Sequence, residues 1–256
     1  MNIHTLSLAA LIALGASTAA TAQTSQVIEP AVCASDIAPA GTIEVVNFET
    51  RRRPIETVLI RPTGPTNGAA IVMLHGQGGL QSDLPRYELQ AYQLASRGYY
   101  VVLPNYYSAS NRSFRDSPLI AERWREVASD AVDYAATLPG VTADKVGIWG
   151  YSLGGRLAVD STLDGGAARA VVAVATAGRL GDGRSTTPTL LIAGDQDPVA
   201  TIVSVNRWAD ELRTRDMPVT VETLNTAKHL FDAPTWCEVF QHTRDFFDAQ
   251  LLSTAR

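Results

Sequence analysis

The chain has few cysteines, little charge and no long apolar run, and each shortage closes off a class of protein. Two cysteines, Cys33 and Cys237, stand far apart in 256 residues, and with four scattered histidines they make no metal site. Charged residues are 18% of the chain, 21 basic against 26 acidic, for a formal charge of −5. That mild, interspersed acidity offers no footprint for a nucleic-acid partner. The one basic run, Arg51-Arg52-Arg53, precedes Pro54 between two strand-like stretches and reads as a solvated turn. Neither common phosphate-binding glycine pattern occurs: Gln81 stands where G-x-G-x-x-G needs glycine, and G-x-x-x-x-G-K-[ST] is missing. No cofactor is therefore expected. No internal repeat or low-complexity tract breaks the chain.

The longest apolar run of the leading segment, Leu6 to Leu14, is too short to span a bilayer and is followed by small residues ending in Ala20-Thr-Ala22. Residues 1–22 thus read as a secretory signal, although its first residues carry no Lys or Arg. Residues 23–41 read as a polar N-terminal arm and 42–256 as one domain, a length that a single core can fill. Export would place the protein in the periplasm or outside the cell with no stable membrane anchor. Cys33 and Cys237 could form one disulfide there, two unpaired thiols being the alternative.

Thr42 to Phe48 and Glu56 to Ile60 read as a hairpin at the edge of a sheet. Ala69 to Leu74, Tyr99 to Leu103, Val146 to Tyr151, Ala170 to Ala175, Thr189 to Ala193 and Val219 to Leu224 read as further strands, several of them apolar throughout, as suits strands covered on both faces. Helical spacing runs from Leu84 to Gly98, from Ile120 to Leu138, from Thr201 to Thr214 and through Trp236, Phe240, Thr243, Phe247 and Leu251. This alternation implies a mostly parallel central sheet with helices on both faces and a site beyond the carboxyl ends of the strands. The segment between the strands at Ala170 and Thr189 is too short for a helical lid domain, so an open cleft is expected.

The organising motif is Gly150-Tyr-Ser152-Leu-Gly154, a G-x-S-x-G between an apolar strand and a helix-forming stretch. Such a turn lifts the Ser152 hydroxyl over the sheet edge, beside the positive end of the following helix. Asp197 and His229 follow, each on a loop after a later strand, in the Ser…Asp…His order of α/β-hydrolases. In the roles this order suggests, His229 takes the proton from Ser152 while buried Asp197 holds the imidazole tautomer and steadies the imidazolium. Asp195 competes for the acid's role, but it sits where its strand ends, whereas Asp197 lies further along the loop before Pro198. In His75-Gly-Gln77-Gly-Gly79 the glycines let main-chain amides approach an oxyanion, and the backbone N–H groups of Gln77 and Leu153 are the expected donors. His75 is expected to hold that loop rather than to act. Tyr106 and Tyr107 either line the acyl pocket or simply pack.

From about Ile71 to Leu252 the chain resembles the dienelactone hydrolase family of α/β-hydrolases, through Lys145-Val-Gly-Ile-Trp-Gly-Tyr-Ser-Leu-Gly-Gly155, Gly194-Asp-Gln-Asp197 and Lys228-His-Leu-Phe231. The resemblance implies an α/β-hydrolase fold, a triad at Ser152, Asp197 and His229, and oxyanion donors at Gln77 and Leu153. Dienelactone hydrolases proper have cysteine in place of Ser152 and a glutamate in the loop where Gly76 stands, which argues against dienelactone as substrate. The expectation is an exported serine hydrolase acting on small-molecule carboxylic esters without metal or cofactor. A peptidase or amidase of the same fold, or a binding module on this scaffold, is the alternative.

Overall fold

A computed structural model of the chain describes residues 33–34, 37–110 and 118–253. The expected signal at 1–22 and most of the arm lie outside the described residues. Eight strands form one sheet in the order β1-β2-β4-β3-β5-β6-β7-β8. They are β1 (Thr42–Phe48), β2 (Ile55–Arg61), β3 (Ala70–Leu74), β4 (Tyr100–Pro104), β5 (Val146–Tyr151), β6 (Ala170–Val174), β7 (Thr189–Gly194) and β8 (Val219–Leu224). β1 and β2 form the edge hairpin, β2 pairs antiparallel to β4, and every other pairing is parallel. The helices are α1 (Leu80–Ser96), α2 (Pro118–Ala136), α3 (Leu153–Leu163), α4 (Ile202–Arg213) and α5 (Ala233–Phe247), the last running into a π turn, Asp248–Leu252.

The period of two along β3 divides the core. Ala70, Val72 and Leu74 face α2, α3 and α4, where Trp124, Leu157 and Trp208 pack. Ile71 and Met73 face α1 and α5, where Tyr87, Trp236 and Phe247 pack. A strand buried on both faces has no polar side to alternate, hence its continuous apolar sequence.

α1 starts at Leu80, four residues before the hydrophobic spacing suggests. Gly79, at φ 86°, turns the chain, and its carbonyl accepts the Asp83 N–H at 3.0 Å, so the helix begins on the loop's own backbone despite Pro85 inside it. The Arg51–Arg53 turn is exposed but anchored: Arg52 grips Glu126 of α2 with two bonds, 2.6 and 3.1 Å, and Arg51 lies 3.6 Å from Asp130.

Cys33 and Cys237 form a disulfide across 204 positions and tie the arm to α5, with Gln90 of α1 donating to the Cys33 sulfur. Cross-linking so long a loop restricts the unfolded chain most, a contribution of about 2–5 kcal/mol. Cys237→Ser should therefore lower the thermal midpoint by several degrees and abolish its sensitivity to dithiothreitol, as calorimetry with and without reductant would read.

Candidate active site

β5 runs into α3 without a loop, and Ser152 is the hinge residue. Its backbone sits at φ 52°, ψ −115°, a region that costs a non-glycine residue about 1–3 kcal/mol. Two hydrogen bonds hold it: the Ser152 N–H donates to the Val174 carbonyl at 2.8 Å, and its own carbonyl accepts the Arg156 N–H at 3.2 Å. The flanking glycines are required by space. A Cβ on Gly150 would lie 2.2 Å from the Gly154 carbonyl, and one on Gly154 would lie 2.4 Å from the Leu74 carbonyl oxygen and 2.5 Å from that of His75. Strand, helix and the loop after β3 thus meet with no side-chain thickness between them.

Asp197 and His229 lie on the loops after β7 and β8. The Ser152 Oγ is 3.0 Å from His229 Nε2, and His229 Nδ1 is 2.8 Å from Asp197 Oδ2. The Asp197 side chain is fully buried, and its other oxygen accepts the N–H groups of Val199 (2.7 Å) and Ala200 (3.0 Å), which fixes its rotamer. Asp195 points elsewhere: its Oδ1 accepts the Thr226 N–H at 3.0 Å and braces the turn that carries the histidine. Because a carboxylate accepts from Nδ1, a neutral His229 presents its Nε2 lone pair to the serine hydroxyl. Tyr151 also holds this loop, its hydroxyl donating to the His229 main-chain carbonyl at 2.9 Å.

The loop after β3 is tied peptide by peptide. The peptide joining His75 to Gly76 is held at both ends, its carbonyl by the Tyr106 hydroxyl (2.7 Å) and its N–H by Asp83 Oδ2 (2.6 Å). In the next peptide, the Gly76 carbonyl accepts from His75 Nδ1 at 2.8 Å and from the Gly79 N–H at 3.2 Å. A trans peptide points its N–H opposite to its C=O, so the Gln77 N–H points away from the His75 ring that holds the Gly76 carbonyl. The Gln77 carbonyl is fixed in turn by the Tyr107 hydroxyl at 2.9 Å. Neither the Gln77 nor the Leu153 N–H has an acceptor among the described residues. Leu153 opens α3, where first-turn amides are free and the dipole is positive.

His75 is buried, stacked on the Tyr106 ring at 3.8 Å with Tyr107 edge-on. Because a carbonyl only accepts, its Nδ1 carries the proton, and burial pushes its pKa down to about 4. The imidazole is a neutral strut. Tyr106 is likewise fully buried by packing, while Tyr107 is half-buried at the loop. The sequence reading misses Asp83, Arg86 and Tyr151: the first two look like an ordinary helical pair, and Tyr151 fills a variable place in the serine motif. Beside Leu153 opens a cleft of about 450 Å³ whose walls include Glu122, Arg125, Arg156, Asp160 and Asp182.

Gly150→Ala should cost about 3 kcal/mol or more in urea unfolding, if the protein accumulates at all, because backbone atoms cannot yield to the new methyl. His75 gives stability a pH dependence. The unfolded imidazole protonates below its ordinary 6.5, the folded one only near 4, so this contribution is complete above pH 6.5 and falls as pH drops toward 4, by up to about 3 kcal/mol. Asp83 and Asp160, raised by burial, oppose it, but only within the carboxylate range. Urea midpoints between pH 7 and 4.5 should show a slope that His75→Asn flattens.

A profile of the dienelactone hydrolase family matches residues 55–241. No curated protein matches the chain. Solved structures share its fold. The acylaminoacyl peptidase of Pyrococcus horikoshii superposes with a TM-score of 0.68 at 15% identity over 84% of this chain and 43% of its own, so this chain spans less than half of it. A dienelactone hydrolase from Anabaena variabilis gives 0.65 at 21% identity, over 82% of this chain and 99% of its own. An esterase from Pyrobaculum calidifontis gives 0.67 at 19% identity, over 83% and 86%. Such identities speak for the fold alone, whereas the profile match runs from β2 into α5. The chain belongs to the dienelactone hydrolase family.

Proposed function

We propose that the protein is a serine hydrolase that cleaves carboxylic esters through an acyl-enzyme, with Ser152 as nucleophile, His229 as general base and acid, and Asp197 as the orienting carboxylate. The observation that carries the reading is the unbroken line from Ser152 Oγ to His229 Nε2 and from His229 Nδ1 to Asp197, at 3.0 and 2.8 Å. His229 removes the hydroxyl proton as Ser152 attacks the ester carbonyl, then returns it to the departing alkoxide. Water repeats the sequence to release the acid. The N–H groups of Gln77 and Leu153 receive the negative charge that gathers on the carbonyl oxygen in both halves.

An ester is favoured by the family itself, named for hydrolysis of a lactone, a cyclic ester. Dienelactone is not the proposed substrate, since serine stands where that chemistry has cysteine and Gly76 where it has glutamate. Indeed the space a side chain at position 76 would need is filled by the Tyr151 ring and the Asp83 carboxylate. The disulfide suits an oxidising compartment, and no helix among the described residues is long and apolar enough to cross a membrane. The disulfide supports a periplasmic or secreted protein.

Ser152→Ala should reduce p-nitrophenyl acetate and butyrate turnover by about 10⁴-fold or more and abolish labelling by a fluorophosphonate probe. Unchanged turnover would remove the serine from the mechanism, and an unlabelled wild type would favour a binding role. Asp197→Asn should cost about 10³–10⁴-fold by presenting the wrong tautomer, and Asp195→Asn less than about tenfold, a comparison that steady-state kinetics would settle. Faster turnover of matched amides than of esters would reassign the protein as an amidase.

A further inference from the structure

The Gln77 loop leans on one carboxylate. Asp83, in the first turn of α1, is only 2% exposed, and its two oxygens are divided between the loop and one cation. Oδ2 accepts the Gly76 N–H at 2.6 Å, and Oδ1 pairs with Arg86, one helical turn on, itself nearly covered. The carboxylate also fills the space a side chain on either neighbour of Gln77 would need: an added Cβ would lie 3.0 Å from it at Gly76 and 2.8 Å at Gly78. It thus lies against the loop on either side of Gln77.

We infer that Asp83, neutralised by Arg86, is a positioning residue that sets the Gln77 N–H as an oxyanion donor, an assignment that rests on the serine hydrolase reading above. Two physical demands meet in this pair. A carboxylate is the strongest acceptor available for a buried amide and holds the peptide before Gln77 in one orientation. Left alone, however, a buried negative charge beneath the loop would oppose the negative charge that develops on the substrate carbonyl oxygen. Arg86 removes that opposition while leaving the hydrogen bond intact. A side chain that merely capped α1 would need neither a bond to the Gly76 N–H nor a buried cation.

The test compares wild type with Asp83→Asn, Arg86→Met and Arg86→Lys, using p-nitrophenyl acetate and a trifluoromethyl ketone, which forms a tetrahedral adduct with the serine. Wild type must first be labelled at Ser152 by a fluorophosphonate. If it is not, the hydrolase reading fails, and this inference with it. Given labelling, Asp83→Asn and Arg86→Met should each lower kcat about 10–100-fold with KM changed less than about threefold, and should raise the ketone inhibition constant by a similar factor. Arg86→Lys, which restores the charge, should recover a large part of the loss. Full kcat in a folded Asp83→Asn overturns the positioning role while leaving the hydrolase reading untouched. A loss matched by KM with ketone affinity unchanged also overturns it, because a general structural defect would give that pattern. Should Asp83→Asn fail to fold, the two Arg86 variants carry the same test.

Discussion

The site rests on one contact distance, the approach of β5 to α3. With no side chain on Gly150 or Gly154, the strand reverses into the helix within a single residue, and the start of the helix lies directly against the Leu74 and His75 carbonyls. Three consequences follow. The serine is forced to a positive φ and projects its hydroxyl clear of the sheet; the first free amide of α3 falls next to it; and the loop after β3 is drawn alongside. The strain, about 1–3 kcal/mol, is held by the pairing of β5 with β6, which continues into the bond between the Ser152 N–H and Val174. The serine hydroxyl and the free main-chain amides are therefore placed by the same packing event, and no separate device is needed to bring them together.

The second layer spends buried polar groups to orient what the packing has placed. Each is committed to a stated partner: Asp197 to two main-chain N–H groups and the imidazole, Asp83 to Gly76 and Arg86, the Tyr106 and Tyr107 hydroxyls to carbonyls of the loop. Buried charges are costly unless paired in this way. Low dielectric then sharpens each bond, so the loop behaves as a rigid part rather than a flexible glycine tract. Glycine supplies the close approach and the tyrosine and aspartate partners supply the stiffness.

The architecture was legible because it depends on periodicity. β1 and β8 run over the residues their alternation implies, and the sheet has helices on both faces as the strand-helix alternation requires. The serine turn was legible too, since glycine two residues to either side has a steric meaning visible in the letters. Boundaries set by turns were less so: α1 begins at Gly79, whose left-handed backbone carries no hydrophobic period. Asp83 and Arg86 were not legible at all. An acid and a base three apart on a helix usually face water, and only the third dimension shows that the loop after β3 covers this pair.

Tyr151 links the two halves of the arrangement. It ends β5, one residue before the serine, and its ring lies between Trp236 of α5, 5.2 Å away, and the His229 imidazole at 5.7 Å, while its hydroxyl bonds the His229 carbonyl. The residue next to the serine thus fixes the backbone of the residue next to the serine's oxygen. Asp195 braces the same loop from the other side through Thr226, and Lys228 pairs with Asp232 at the start of α5. A histidine loop held from β5, β7 and α5 cannot drift independently of Ser152, because displacing it breaks bonds to all three. The loops after successive strands are far apart in sequence, yet one of the three holds on the imidazole's loop comes from the strand that carries Ser152.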